Sequence, residues 1–255
     1  MTARLARLAT VALPFLALLA LWQTATLLLP PYVAPPIPDV LGRALAILLH
    51  GPTLAEVLAT VSRTLGGLIG AFVIGGALAT AMGRAAALAR TLTPLLTFIQ
   101  GIPGLSWVVF AVIWFKGTET RIFFIMVMTA LPAFTFQLLD AYRGLSRDLV
   151  EMALAFRPRR GQMLRVLILP ALLPDILTAW KINLGNASRV VVIAELVGAT
   201  SGVGYDLMQQ QQLFDMAGAI AWTLQLVLFV LLVQGVIAMI ERLALRYRAT
   251  SERSA

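Results

Sequence analysis

Cysteine is absent from this 255-residue chain, which excludes disulfides, thiolate metal sites and thiol catalysis. Histidine occurs once, as His50 beside Gly51, and a lone imidazole makes neither a metal site nor an acid–base pair. The only lysines follow Phe115 and Trp180, so no Gly-x-x-x-x-Gly-Lys-Ser/Thr occurs and the chain has no P-loop for ATP. No Ser-His-Asp set, paired carboxylates or metal-ligand spacing appears, and enzyme catalysis in this chain is not expected. Charged residues are scarce, 13% against 60% hydrophobic, which argues against a soluble globular protein. No tandem repeat or low-complexity tail divides residues 1–255, which read as one domain.

What the chain has in abundance is long runs without charge. None falls between Arg63 and Arg84, Arg90 and Lys116, Arg121 and Asp140, or Asp215 and Glu241. Each gap holds roughly 18 to 25 residues, enough to cross a hydrocarbon core of about 30 Å at 1.5 Å per residue. The spacing predicts an all-α polytopic membrane protein with about six spans, at 8–30, 64–83, 91–115, 122–139, 176–197 and 216–240. The fifth is weaker and carries Lys181, Arg189 and Glu195. With the N-terminus inside, 14 of the 20 Lys and Arg fall on the cytoplasmic side, four outside and two within a span. That asymmetry follows the positive-inside rule and puts both termini in the cytoplasm. The net charge of +8 is therefore topology rather than a nucleic-acid footprint. Arg4 and Arg7 before an apolar run resemble a signal peptide, but the run is too long and lacks a small-x-small site, so a retained first span is expected.

Between the spans the chain is punctuated. Five prolines between Pro30 and Pro38 rule out helix and predict an extended external crossing. Asp39 is expected to cap a short interfacial helix, Val40 to Leu49, followed by a second from Leu54 to Ser62. Gly66 and Gly70 form a small-xxx-small pair that predicts close helix packing in the second span. Gln100-Gly-Ile-Pro-Gly104 should kink or break the third span where backbone faces protein or a wet cavity. A glycine-rich external loop, 198–205, precedes a short amphipathic stretch from Asp206 to Phe214.

The segment from residue 140 to 172 is different in kind. Ser146 can cap a helix with Asp148 in its first turn, running to about Phe156. Pro158 suits the first position of a second helix, ending before Pro170. Met163, Val166 and Leu167 recur at i, i+3 and i+4, with Arg159, Arg160 and Arg165 around them. A bent pair of helices with a greasy face and a basic flank suits a groove on a soluble partner. It equally suits an apolar face resting on the bilayer.

Glu151, Ala153, Leu167, Leu169 and Pro170 fall at the spacing of the cytoplasmic EAA loop, and the chain here resembles the permeases of binding-protein-dependent ABC importers. Met152 replaces the first alanine of that pattern, and Arg157 stands where glycine is expected. Pro36-Ile-Pro-Asp-Val-Leu41, Gln100-Gly-Ile-Pro-Gly-Leu105 with Trp114-Phe115, and Ala194-Glu195 with Gly202-Val-Gly-Tyr205 are similar to the nitrate/sulfonate/taurine-type branch. The resemblance implies a type I importer fold with a cytoplasmic coupling helix between spans four and five. It implies an ATPase-docking loop carried by Glu151, Ala153, Phe156, Arg157, Arg159, Arg160, Met163, Val166, Leu167, Leu169 and Pro170. It further implies a bacterial inner-membrane homodimer, two cytoplasmic ATPases that hold ATP and Mg, and an extracytoplasmic solute-binding protein. No cofactor is expected on this chain.

Candidate pathway residues are Gln100, Pro103, Arg189 and Glu195. A charge inside a span is a functional hypothesis by default, and Arg189 could attract an anionic solute such as a sulfonate, taurine or nitrate. The alternative is a structural ion pair, with a partner on another helix. For Glu195 the resemblance favours a structural or gating role over solute coordination, and Arg63 reads as an interfacial anchor at the outer mouth of span two. A thiamine-precursor, riboflavin or aromatic-acid importer is an alternative within the family. A stand-alone secondary transporter is the rival outside it, though intramembrane carboxylates and repeats are scarce. A membrane-embedded enzyme is a third reading and lacks any chemical constellation.

Overall fold

A computed structural model describes residues 2–156 and 160–244, with side chains from Ala12 onward except those of Arg147 and Arg160. Among them there is no strand. Helix α1 spans Thr2–Leu28, and its apolar side chains from Ala12 on are largely exposed. The proline-rich crossing follows as a non-helical turn, pinned where Trp22 Nε1 donates to the Pro35 carbonyl at 3.1 Å. Helix α2 covers Ile37–Leu49, with Pro36 as its N-cap and Asp39 in its first turn rather than at the cap. Pro38 needs no N–H partner at that position, so the helix starts earlier than a side-chain cap would place it.

Helix α3 runs unbroken from Gly51 to Arg84. The expected separate helix at 54–62 is its first part, since no residue there interrupts the backbone ladder. Helices α4 (Ala86–Gly101) and α5 (Gly104–Trp114) meet at 92°. Pro103 lacks an N–H and drives Ile102 into an extended conformation, and the third expected span is thereby a broken one. Helix α6 (Thr118–Arg143) is the central element, and α7 (Arg147–Ala155) follows it with Ser146 as N-cap and Asp148 in the first turn. The Ser146 hydroxyl itself makes no cap bond.

Helix α8 (Arg160–Met163) passes through a π turn, Leu164–Ile168, into α9 (Leu169–Gly198). The helix was expected to end before Pro170; it continues instead. The π turn widens the ladder just upstream, with Leu169 N–H bonding the Leu164 carbonyl, and so absorbs the proline. Helix α10 covers Val203–Gln212, three residues earlier than the amphipathic stretch suggested, and α11 covers Met216–Ala244.

Among the described residues four helices are long and apolar enough to cross a membrane, and the bent α4–α5 pair makes up to five. The remaining expected span falls on α1, whose described apolar part is Ala12–Leu28. The core lies where α3, α6 and α9 converge. Leu68, Ala71, Met126, Phe134, Leu184 and Val191 are buried there, and Phe72, Phe134 and Trp180 meet with ring centroids 5.4–5.6 Å apart. The glycine-rich face of α3 makes the approach possible; of the expected Gly66–Gly70 pair Gly70 takes part, a Cβ there lying 2.7 Å from Phe123 Cζ, while Gly66 does not. Gly67, Ala71, Gly75 and Ala79 form the buried row, spaced four apart. A Cβ on Gly67 would lie 2.3 Å from Met126 Cβ, whereas one on Gly66 would meet nothing within 4 Å.

Candidate functional site

The expected site residues fall in three places along the bundle. At the end where α9 meets α10 stands a buried polar knot. Arg63 of α3, 9% exposed, sends Nη1 to Glu195 Oε1 at 2.8 Å and to the Ser201 carbonyl at 2.9 Å. Its Nη2 reaches Glu119 Oε1 at 2.6 Å and Ser201 Oγ at 2.8 Å, and its Nε reaches Glu119 at 3.1 Å. All five guanidinium donors are thus used. Glu195 of α9, 0% exposed, also accepts from Thr60 Oγ1 and from Gly204 N–H, each at 2.9 Å. Thr60 Oγ1 in turn accepts from Val203 N–H at 2.8 Å, and Glu56 accepts from Gly202 N–H at 2.5 Å.

The glycines of that loop are dictated by the carboxylate. Gly202 has φ +106°, and a Cβ there would lie 2.3 Å from Glu195 Oε1. One on Gly204 would lie 2.5 Å from the Val192 carbonyl. The Ala194-Glu195…Gly202-Val-Gly-Tyr205 pattern is therefore an anchoring motif that ties the start of α10 to α9 and α3. Arg63 is no interfacial anchor; burial between two carboxylates makes it the centre of the knot. Sequence reasoning passed over Thr60, Glu56 and Glu119, and no local signal pairs them with residues so far along the chain.

Midway along the bundle, Arg189 is exposed in a groove of about 640 Å³ between α9 and α11, among Ser188, Val192, Thr223, Val227 and Gln234. It makes no hydrogen bond or ion pair with any described residue. The other cation in this span, Lys181, is paired with Glu241 of α11. Glu195, further along the same helix, is engaged by Arg63. Gln100 and Pro103 are exposed at the α4–α5 break. The break packs beside α9 next to Arg189: a Cβ on Gly104 would lie 3.5 Å from Val190. Neither Gln100 nor Pro103 lines the groove that holds Arg189.

At the α7–α8 end, apolar side chains face outward. Phe156 is 82% exposed and Val166 77%, with Leu149, Met152, Leu154 and Leu169 also exposed. Glu151 is exposed, while Ala153, Met163, Leu167 and Pro170 are half-buried. The expected stripe of Met163, Val166 and Leu167 is split, because the π turn rotates Val166 away from the other two. Arg157 and Arg159 lie outside the described residues, as does the side chain of Arg160. A cavity of about 630 Å³ opens above α7, lined by Gln137, Asp140, Ser146, Leu149, Asp175 and Thr178.

The profile described as "Binding-protein-dependent transport system inner membrane component" matches residues 67–246. The chain belongs to that family. It is an ABC transporter permease of the inner membrane, a non-catalytic subunit. A probable ABC transporter permease protein of Brucella melitensis is 32% identical over 70% of this chain and 72% of its own. The taurine transport system permease protein of Escherichia coli is 31% identical over 72% of this chain and 69% of its own. The riboflavin transport system permease protein of Chloroflexus aurantiacus is 28% identical over 91% and 88%. Among solved structures, the inward-facing MetNI methionine ABC transporter superposes with a TM-score of 0.63 at 20% identity, covering 76% of this permease and 99% of that chain. The fold is that of a type I importer permease.

Proposed function

We propose that this permease carries a small anionic solute of the sulfonate, taurine, nitrate or bicarbonate kind into the cytoplasm, in a homodimer driven by two separate ATPases. The observation that carries the solute class is Arg189. An arginine near the middle of an apolar span costs about 3 kcal/mol or more in lipid, so its groove belongs against water or protein. Two copies facing each other across that groove would line a path with two guanidinium groups, attractive to an anion and free of a fixed counter-ion. Relatives named for taurine, aliphatic sulfonates and bicarbonate agree with this class. The riboflavin relative marks the alternative.

The remaining roles follow the same reading. The exposed apolar side chains of α7 and the π turn, with Glu151 beside them, dock the ATPase, which holds the ATP and Mg. Both termini and this element are cytoplasmic, and the Arg63 knot faces the extracytoplasmic solute-binding protein. Replacing Arg189 by Gln tests the solute class in proteoliposomes holding the complete transporter. Uptake of the anionic solute is expected to fall at least about tenfold, by loss of a charge-assisted contact of about 1.4 kcal/mol or more, with ATPase subunits still bound. Unchanged uptake would remove Arg189 from the path.

A further inference from the structure

The groove that holds Arg189 carries a second unspent group. Helix α11 starts against α10, which is tied to the end of α9, and closes on Lys181, so α9 and α11 run antiparallel. The Lys181–Glu241 pair sets their register. Arg189 lies eight residues, or about 12 Å, beyond Lys181, and Gln234 lies seven residues, or about 10 Å, before Glu241. The two side chains therefore stand at the same level, one on each wall of the groove. Gln234 makes no hydrogen bond with any described residue. The other glutamine within this helix, Gln225, is buried and donates from Nε2 to the Ala44 carbonyl at 3.0 Å. The hydroxyls of the groove are spent on their own helices: Ser188 Oγ donates to the Gly185 carbonyl at 3.1 Å, and Thr223 Oγ1 to that of Ala219 at 2.8 Å. The side-chain donors left free on the walls are the Arg189 guanidinium and the Gln234 amide. No carboxylate lines the groove among the described residues, and about one turn on from that level Val192, Ile193 and Val230 make it apolar. An unpaired amide in an apolar span, like the arginine, belongs against water or a ligand rather than lipid.

We propose that Gln234 is a specificity-determining residue that works with Arg189. The guanidinium takes the charge of a singly charged oxyanion, and the carboxamide N–H groups take an oxygen from the opposite wall. The inference rests on the anionic-solute reading above and narrows it. The apolar turn beyond accommodates an alkyl tail, which a bare inorganic anion does not have. A zwitterion such as taurine brings an ammonium group with no carboxylate to receive it, and is disfavoured.

The test is thermal unfolding of this permease within the complete transporter, titrated with propane-1-sulfonate or taurine at ionic strength matched with sodium chloride. The two probes share shape and sulfonate and differ in the ammonium group. Half-maximal stabilisation of the wild type is expected at about tenfold less propane-1-sulfonate than taurine. Gln234→Met, of similar length, should need about tenfold more propane-1-sulfonate while keeping its stability without ligand. Gln234→Glu places a carboxylate opposite the guanidinium and should invert the preference toward taurine, which a merely structural role would not do. Equal response of Gln234→Met and wild type to propane-1-sulfonate would overturn the proposal. So would taurine acting as strongly as propane-1-sulfonate, or no stabilisation of the wild type by either. If Arg189→Gln weakens the response and Gln234→Met does not, this inference falls and the anionic-solute reading stands; if neither weakens it, both fall.

Discussion

Arg63 supplies the cation beside the fully buried Glu195 carboxylate and reaches the exposed Glu119 on its other side. Replacing it by Ala leaves Glu195 enclosed without its cation, and removal of one partner of a buried pair costs about 3–5 kcal/mol. Thermal unfolding in detergent should show a large loss for Arg63→Ala and a smaller one for Arg63→Lys, which offers three donors in place of five. Equal stability of Arg63→Ala and wild type would make the knot incidental. Asp206 gives a pH signature. Desolvation, then the charges of Glu56 and Glu195, push it up to about 6, while Arg43 of α2 and His50 just after it line the same cavity as Asp206. A carboxyl raised in the folded state stabilises fully below its unfolded value and loses that contribution as pH rises through the folded one. Stability of the isolated permease should therefore fall between about pH 4 and 6. Asp206→Asn should flatten that slope, gaining about 1 kcal/mol or less at neutral pH because partial exposure screens the repulsion. At this scale the sequence was least informative: Arg63 and Glu195 are 132 residues apart, and their pairing is set by how α3 and α9 dock.

The helices themselves were largely legible, because charge-free length and proline positions are read directly from the chain. The break at Ile102–Pro103 follows from backbone chemistry alone, and α7 starts after Ser146 as expected although the hydroxyl makes no cap bond. Phase was not legible. The glycine density of α3 announces a close approach, but only the docked partner tells Gly67 from Gly66. Gly67→Val would force Met126 and the α6 backbone outward, at about 1–3 kcal/mol or more, whereas Gly66→Val meets open space. Thermal unfolding or yield of folded protein should separate the two variants; equal behaviour would contradict the packing of α3 on α6. Pro170 misled for a related reason, since a proline ends a helix unless the turn before it can widen, and the π turn at Leu164–Ile168 does so. The same turn splits the expected Met163–Val166–Leu167 stripe while leaving a broad apolar face around Phe156 and Val166.

As a whole the molecule is a packed core of α3, α6 and α9 with its ends built differently: a fixed ionic knot at one, an uncovered apolar element at the other. An uncharged core between two such ends suits a part that is moved by partners rather than one that moves itself. The absence of a P-loop in the sequence points the same way, and the EAA spacing resembles that of permeases worked by a separate ATPase. Which solute passes was never written in either, beyond the unpaired guanidinium of Arg189 inside a span. The most direct test is gentle purification from native membranes, with subunit composition read by native mass spectrometry. Two copies of this permease with two ATPase chains are the expected result. Repeated recovery of this chain alone, still competent for transport, would contradict the account and identify a secondary transporter.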